Sequence, residues 1–155
     1  MKKILMAVML AVSSQSVAAD WEMLPDSEFC IARNGIDWGD GNIGETRFGW
    51  VSDKLYLSAI NAKWNVKTSK ENPFQSRAEA DFDGVRVPVM VYSQESSSVI
   101  VELDGSVENL DIIVSSKSMK VYAVGDYSDF VFGFELDDMK QAISKVGQCY
   151  FTTKA

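Results

Sequence analysis

The sequence predicts a single α+β domain that consists mostly of antiparallel β-sheet, with about seven short strands and two short helices in its C-terminal half. Three observations support this fold class. Apolar residues alternate with a period of two along most of the chain, and turn-forming dipeptides separate these runs. The period changes to that of a helix at only two places, both after residue 105. The length of 155 residues and the hydrophobic fraction of 46% suit one domain with one core.

The first strand pair is predicted on either side of the dipeptide Ser52-Asp53, which is typical of a tight turn. The alternating apolar residues of this pair are Phe48, Trp50, Leu55, Leu57 and Ala59. Residues 61–76 are expected to form a looser connection, because they include Lys67, Lys70, Asn72 and Pro73.

The dipeptide Asp83-Gly84 predicts a second tight turn, since glycine adopts a positive φ at little cost. It joins strands expected at 79–82 and 85–92. Pro88 has no amide hydrogen, so its strand is expected at an edge of the sheet or with a bulge. A further strand is predicted from Val99, Val101 and Leu103.

Two segments have helical spacing. Ser106 is expected to cap the first helix, whose apolar residues are Val107, Leu110, Ile113 and Val114. Asp137 is expected to cap the second helix, which is predicted to end at Gly147. The apolar residues of this second helix are Met139, Ala142, Ile143 and Val146. Between the helices, strands are predicted at 119–124 and along the alternating residues Phe130, Phe132, Phe134 and Leu136.

Residues 1–19 have the three parts of a signal peptide. Two lysines precede a short apolar core, and small residues then precede a cleavage site between Ala19 and Asp20. The apolar core is too short to span the roughly 30 Å of hydrocarbon in a membrane. We therefore expect residues 20–155 to form a single secreted globular domain in the bacterial periplasm or outside the cell.

The two cysteines, Cys30 and Cys149, lie near the two ends of the predicted mature chain. In an oxidising compartment, an isolated pair within one small domain forms a disulfide. A redox pair would have the C-x-x-C spacing, and a thiol nucleophile would need a histidine base. Neither is present, so the sequence predicts a structural disulfide between Cys30 and Cys149. Cys149 is expected to turn back after the second helix and lie beside a strand that holds Phe29 and Ile31.

The chain is acidic, with 15 basic and 22 acidic side chains and a net charge of −7. Loss of residues 1–19 removes two lysines and no acid, so the net charge changes from −7 to −9. Such a surface repels nucleic acid and anionic lipid and attracts a cationic partner over a long range. We therefore expect a basic protein as partner, no nucleic acid and no membrane span. Charge alone leaves open the alternative that the acidity only keeps the protein soluble.

The composition excludes several enzyme mechanisms. The chain has no histidine, which removes Ser-His-Asp and Cys-His catalysis and the usual zinc sites. It also lacks a Ser-x-x-Lys pair, a nucleophile elbow, a phosphate-binding loop and a dinucleotide-binding glycine pattern. We therefore predict no catalytic residue, no cofactor and no metal site. A hydrolase that uses two carboxylates needs only suitably spaced acids, so this alternative stays open.

One segment, residues 37–45, combines three glycines, acidic side chains and a tryptophan in a polar loop. A tryptophan can anchor a protein partner, and charges at the rim of an interface steer the encounter. The residues predicted to bind the partner are Asp37, Trp38, Asp40 and Glu45. One alternative is a connection whose tryptophan packs back on the sheet. Another is a calcium loop, although the D-x-D-x-D-G spacing is absent.

The last third of the chain has the sequence LDII at 110–113, FGFELDDM at 132–139 and AI at 142–143, followed by Cys149. This order resembles the ending of small secreted bacterial proteins of the invasion-associated locus B type. The usual glycine of that family after the leucine is replaced by Asp137-Asp138, and its additional cysteines are missing. The resemblance implies a non-catalytic, secreted, β-rich domain and supplies no catalytic residue.

Together these observations predict a non-enzymatic secreted or periplasmic binding protein, of the kind of an inhibitor or immunity protein, that neutralises a basic protein. A small acidic domain without histidine suits this class, because an inhibitor needs a complementary surface and no reaction chemistry. The alternatives are a carboxylate-dependent hydrolase of the cell envelope and a structural component of the envelope.

Overall fold

The computed structural model describes residues 20–25, 28–39, 41–64, 74–93, 95–124, 129–136 and 138–153. The predicted signal peptide lies outside these ranges. The strands are β1 (Glu22–Met23), β2 (Cys30–Asp37), β3 (Ile43–Val51), β4 (Lys54–Ile60), β5 (Phe74–Phe82), β6 (Val85–Ser93), β7 (Ser98–Asp104), β8 (Ser118–Val124) and β9 (Asp129–Glu135). The helices are α1 (Val107–Ser115) and α2 (Met139–Thr153). Neither helix has the length and apolar character that a membrane span requires.

The strands form one antiparallel sheet in the order β1-β2-β3-β4-β7-β6-β5-β8-β9. The predicted α+β class is thereby confirmed, with both helices in the C-terminal half. Nine strands are present in the described ranges, where about seven were predicted. A strand at Ile31 was expected and is β2, although its bounds were not predicted, and β1 was not predicted at all. The inward positions of β2 include Cys30, Ala32 and Asn34, which do not form a run of large apolar residues.

The sheet has a buried inner face and a partly exposed outer face. Fully buried side chains come from the central strands and from both helices. The largest of them are Phe48, Phe82, Leu55, Leu57, Leu103, Ile113 and Met119. The outer face carries the alternate residues of each strand, which on β4 are Lys54, Tyr56, Ser58 and Ile60. Alternation thus sets the direction of each side chain, as expected for a sheet with one face on the core.

Helix α2 packs against β1, β2 and β3 and closes one side of the core. Met139, Ala142 and Val146 are its buried residues, at helical spacing. The backbone N–H of Trp21 donates to Gln141 Oε1 at 2.8 Å, which ties the start of the domain to this helix.

The predicted disulfide is confirmed. Cys30 at the start of β2 is bonded to Cys149 in α2, and their Cα atoms are 5.7 Å apart. The bond joins residues 119 positions apart in the sequence and fixes the last helix to an early strand.

The prediction that the second helix ends at Gly147 is wrong, because α2 continues to Thr153. Gly147 does not adopt a positive φ, so it does not form a helix-ending turn. Beyond it, Tyr150 stacks on Trp50 with ring centroids 5.1 Å apart, and its hydroxyl donates to the Ser52 carbonyl at 2.9 Å. These tertiary contacts stabilise the last turns of the helix.

The predicted turn at Asp83-Gly84 and the predicted helix cap at Ser106 are confirmed, whereas the expected edge position of Pro88 is wrong. Asp83 and Gly84 have φ values of 49° and 96°, as a tight two-residue hairpin turn requires. The N–H of Asn109 donates to Ser106 Oγ at 3.1 Å, so Ser106 caps α1. Pro88, however, does not lie on an edge strand, because β6 lies between β5 and β7.

The pairing of β6 explains how the sheet accommodates Pro88. Strand β6 pairs with β5 along its whole length, but its register with β7 covers only Met90–Tyr92. Pro88 therefore lies in a part of β6 that does not pair with β7. The missing amide hydrogen of the proline costs no hydrogen bond to β7 there.

The looser connection predicted at 61–76 is shorter than expected, because β5 already begins at Phe74. The middle of that connection lies outside the described residues, as does the expected helix cap Asp137. The phenylalanines at 130, 132 and 134 are placed on β9, and their side chains are not among those described.

Candidate functional site

The predicted loop connects β2 to β3 and is closed by its own hydrogen bonds. The N–H of Trp38 donates to the Asn42 carbonyl, and the N–H of Asn42 donates to the Gly39 carbonyl, both at 2.9 Å. The N–H of Gly39 donates to Asp37 Oδ1 at 2.8 Å. Asp37 is exposed and shapes the start of the loop.

Trp38 packs back towards the sheet. Its indole Nε1 donates to the Ile60 carbonyl at 3.1 Å, and its ring lies 5.3 Å from that of Trp64. A Cβ atom built on Gly44 would come within 2.1 Å of the same indole nitrogen. The ring therefore occupies the space that the missing side chain of Gly44 leaves on the inner side of the sheet.

A buried asparagine fixes the loop to the end of β4. Asn42 Nδ2 donates to Asn61 Oδ1 at 2.6 Å, and the N–H of Lys63 donates to the same oxygen at 2.9 Å. The N–H of Asn61 donates to the Ser97 carbonyl at 2.8 Å. Asn61 is only 6% exposed, so these bonds satisfy polar groups that water does not reach.

Glu45 lies on the outer face of β3, between two arginines. One carboxylate oxygen contacts Arg47 Nε, and the other lies 3.8 Å from Arg33 Nη1. Arg33 also lies 3.7 Å from Glu22 on β1. Glu45 thus belongs to a network of partly exposed ion pairs, which contribute little to stability.

The four predicted partner-binding residues therefore do not form one patch. Asp37 and Glu45 lie on the outer side, Trp38 turns to the inner side, and Asp40 lies outside the described residues. The packing of Trp38 matches the alternative in which the tryptophan folds back on the sheet. The partner-binding role of these residues stays a prediction.

The calcium alternative finds no support in the described part of the chain, which contains no group of three or more acids and cysteines able to hold a metal ion. Asp37 Oδ1 already accepts a backbone hydrogen bond, and Glu45 is engaged by two arginines.

A feature that the sequence did not reveal is an open apolar groove of about 320 Å³ on the outer face of β2, β3, β4 and β7. It is lined by Phe29, Ile31, Arg47, Gly49, Val51, Tyr56, Ser58 and Ile100. We call it the outer-face groove. Gly49 lies across from Ile31 on β2 and from Tyr56 on β4, and the absence of its side chain leaves the floor open.

One end of the outer-face groove is acidic. Lys54 contacts Asp104 and lies 3.9 Å from Glu102, and its ammonium also interacts electrostatically with Asp53. The hydrogen bond to Asp104, followed by the charges of the three carboxylates, raises the pKa of Lys54 above its ordinary value. We call Lys54, Asp53, Glu102 and Asp104 the acidic end. Its three carboxylates and one ammonium leave an excess of two negative charges.

The negative charge of Glu102 also affects the pKa values of two tyrosines, Tyr56 and Tyr92. Burial, and then the charge of Glu102, raises the pKa of Tyr56. Burial, and then a hydrogen bond to the Glu102 carboxylate, raises the pKa of Tyr92. Both effects disfavour a phenolate, so the two hydroxyls stay protonated donors beside the groove.

A faint signal of the groove exists in the sequence. In Val99-Ile100-Val101 the alternation is interrupted, which indicates a strand that is covered on both faces. Ile31 and Val51 are likewise apolar at outward positions. Their proximity depends on the register of four strands, which the alternation within each strand does not determine.

The fold and the groove define a small disulfide-closed α+β domain with a concave apolar site on an otherwise charged sheet face. Comparison of the chain with protein-family models, with curated proteins and with solved structures gives no match. The resemblance to the invasion-associated locus B type stays a prediction.

Proposed function

We propose that this chain is an exported binding protein that associates stoichiometrically with a basic protein, in the manner of an inhibitor or immunity protein. The acidic end carries this proposal, because three carboxylates surround a single lysine on the surface. Clustered charge of one sign attracts a partner of the opposite sign and accelerates the encounter. The overall excess of 22 acids over 15 bases adds to the same field.

Export and a periplasmic or extracellular location are part of this proposal. The disulfide supports them, since such bonds persist in oxidising compartments. The test is N-terminal sequencing of the protein recovered from the periplasm and from the medium. We expect the sequence to begin at Asp20, whereas recovery from membranes of a chain that begins at Met1 would contradict export.

The partner is to be isolated with the mature protein as bait, from envelope and culture supernatant, and identified by mass spectrometry. Association and dissociation rates of the purified pair are then measured at increasing salt. The association rate should fall as salt rises, because the screening length shrinks from about 10 Å at 0.1 M to about 3 Å at 1 M. A basic partner is expected, and an association rate independent of salt would contradict electrostatic steering.

The predicted partner-binding loop, residues 37–45, is tested by measuring the rates of the same two purified proteins. The triple variant Asp37→Asn, Asp40→Asn and Glu45→Gln should mainly slow association. Trp38→Ala should mainly raise the dissociation rate, and circular dichroism of this variant distinguishes a lost contact from lost packing of the ring on the sheet. The control is Glu108→Gln with Asp111→Asn, which neutralises two exposed acids on α1, and it is compared with the pair Asp37→Asn and Glu45→Gln as well as with the triple variant. If both loop variants bind like the parent protein, the loop is not the contact.

The enzymatic alternative has its own outcome. If the pure protein degrades peptidoglycan or another envelope polymer catalytically, and one carboxylate substitution abolishes that activity, the binding proposal is wrong.

A further inference from the structure

We infer that the outer-face groove is the anchoring site for the basic partner. It accepts one large aliphatic or aromatic side chain of that protein, while a neighbouring lysine or arginine of the partner enters the acidic end. This inference rests on the proposed function and adds the chemistry of the contact.

The lining supports an apolar occupant. Phe29, Ile31, Val51 and Ile100 contribute aliphatic and aromatic surface, and Phe29 is 52% exposed. The volume of about 320 Å³ lies at the lower end of the range for ligand pockets, which suits a single large side chain. Exposed apolar surface of this kind marks interaction sites in proteins that are otherwise charged on the surface.

The site is preorganised by strand pairing. Ile31 pairs with Gly49, and Gly49 pairs with Tyr56, so the floor crosses three hydrogen-bonded strands. Ser58 pairs with Ile100 on the fourth strand. Because every lining residue except Phe29 belongs to a strand of the sheet, a partner would not have to order most of the wall on binding.

The register places the negative charge directly beside the groove. Glu102 follows Ile100 by two residues on the same face of β7 and pairs with Tyr56. Lys54 pairs with Val51 on one side and with Asp104 on the other. A cationic side chain next to the apolar anchor would therefore meet Glu102 and Asp104 together with Lys54, whose single charge balances only one of the three carboxylates of the acidic end.

The opposite end of the groove differs in charge. Arg47 lines the groove there, with its Nε held by Glu45. The two ends together define a direction, with the cationic group of the partner at the acidic end and not at Arg47. A second copy of this chain carries the same negative excess and is repelled at this surface.

A display experiment tests this inference even before the natural partner is identified. A library of random 12-residue peptides is selected on the intact mature protein and counter-selected on Ser58→Leu, a substitution that fills the groove. We expect enriched peptides to contain an aliphatic or aromatic residue close to a lysine or arginine. Enriched peptides that are acidic or uncharged, or a selection that yields no groove-dependent peptide, would overturn the inference.

Synthetic peptides from the selection are then titrated by calorimetry. Ser58→Leu should weaken binding about 10–100-fold, the range expected when one large apolar side chain loses its pocket. Asp53→Asn with Asp104→Asn should weaken it several-fold and reduce its salt dependence. The control Glu108→Gln with Asp111→Asn should leave the affinity within about twofold. Equal affinity for all variants would place the contact elsewhere.

Two further measurements keep the outcomes distinct. Circular dichroism is used to check that Ser58→Leu folds. Ile100→Ala is the second groove variant, and it removes side-chain volume from the groove wall instead of adding it. If the natural basic partner binds both variants like the parent protein, the groove inference fails while the proposed function stands. If sedimentation shows a dimer of the parent that Ser58→Leu dissociates, the occupant is a second copy and the inference is wrong.

Discussion

Among the glycines that the structure describes, Gly44 is the one where a single added methyl group should be least tolerated. A Cβ atom there would lie 2.1 Å from the Ile60 carbonyl oxygen and 2.1 Å from Trp38 Nε1. We expect Gly44→Ala to lower the free energy of unfolding by about 3 kcal/mol, at the upper end of the range for overpacking, because a backbone oxygen cannot move aside. Urea denaturation measures this change.

Gly35 is the matched control on the neighbouring strand. Nothing lies within 4 Å of a Cβ atom built there, and its φ is not positive. Gly35→Ala should leave the stability unchanged or raise it by up to about 1 kcal/mol, since alanine restricts the unfolded chain. A similar loss for both variants would mean that the Trp38 packing against Gly44 is not formed.

Asp83 makes stability depend on pH. Hydrogen bonds from the Lys117 N–H, and then from the Ser118 hydroxyl, hold the pKa of Asp83 below its ordinary value of 3.8. A lowered folded-state pKa means that these bonds stabilise the protein above pH 3.8, and that the contribution is lost as the pH falls through the folded-state pKa.

The variant Asp83→Asn isolates this effect, because asparagine also tolerates the positive φ of 49° at this turn. We expect the parent protein to have the higher Tm at neutral pH, and the difference to shrink as the pH falls below about 4. Thermal unfolding at several pH values measures it. If the difference in Tm stays constant down to about pH 2, the lower Tm of Asp83→Asn comes from a change in the turn conformation and not from loss of the Asp83 carboxylate charge.

Residues that act on their immediate neighbours were the easiest to predict. The Asp83-Gly84 turn and the Ser106 cap depend only on chain positions two or three residues away. Trp38 could not be placed in the same way, because its contacts with Ile60 and Trp64 come from a different part of the chain.

Helix α1 offers a test at the level of a single element. Ser106 accepts a hydrogen bond from the N–H of Asn109, so Ser106→Ala should lower the free energy of unfolding by about 1 kcal/mol. Ser115→Ala on the same helix is the control, because its exposed hydroxyl only bonds to the Asp111 carbonyl. We expect the control to change the stability by less than about 0.5 kcal/mol in chemical denaturation. Equal effects would contradict the capping role.

The elements that were predicted incorrectly share a cause. Strand β1, which was not predicted, has only two residues and is held by pairing with β2 and by the contact with α2. Helix α2 passes Gly147 because Tyr150 packs on Trp50. Pro88 is accommodated because the β6–β7 register stops short of it. In each case, contacts between distant segments override the local preference of the sequence.

At the level of the whole molecule, the disulfide is the strongest single constraint. It closes a loop across a separation of 119 residues, which in the chain-entropy model stabilises the fold by about 4–5 kcal/mol. We expect the variant Cys30→Ala with Cys149→Ala to lose about this free energy of unfolding in urea, and the reduced parent protein to lose a similar amount.

Thiol titration provides the control for that prediction. The unfolded, unreduced parent protein should show no reactive thiol, and two reactive thiols per chain would contradict the bond. The sequence sufficed for this pairing, because only two cysteines are present. It did not suffice for the outer-face groove, whose walls come from residues as far apart as Phe29 and Ile100.

The position of the bond also sets an order of events during synthesis. Cys30 leaves the ribosome 119 residues before Cys149, a delay of roughly ten seconds at the usual rates of translation. Throughout that interval the nascent chain carries a single thiol with no partner in its own sequence. A chain that terminates before Cys149 therefore has no partner for Cys30 within its own sequence, and we expect such chains to form disulfide-linked pairs in an oxidising compartment.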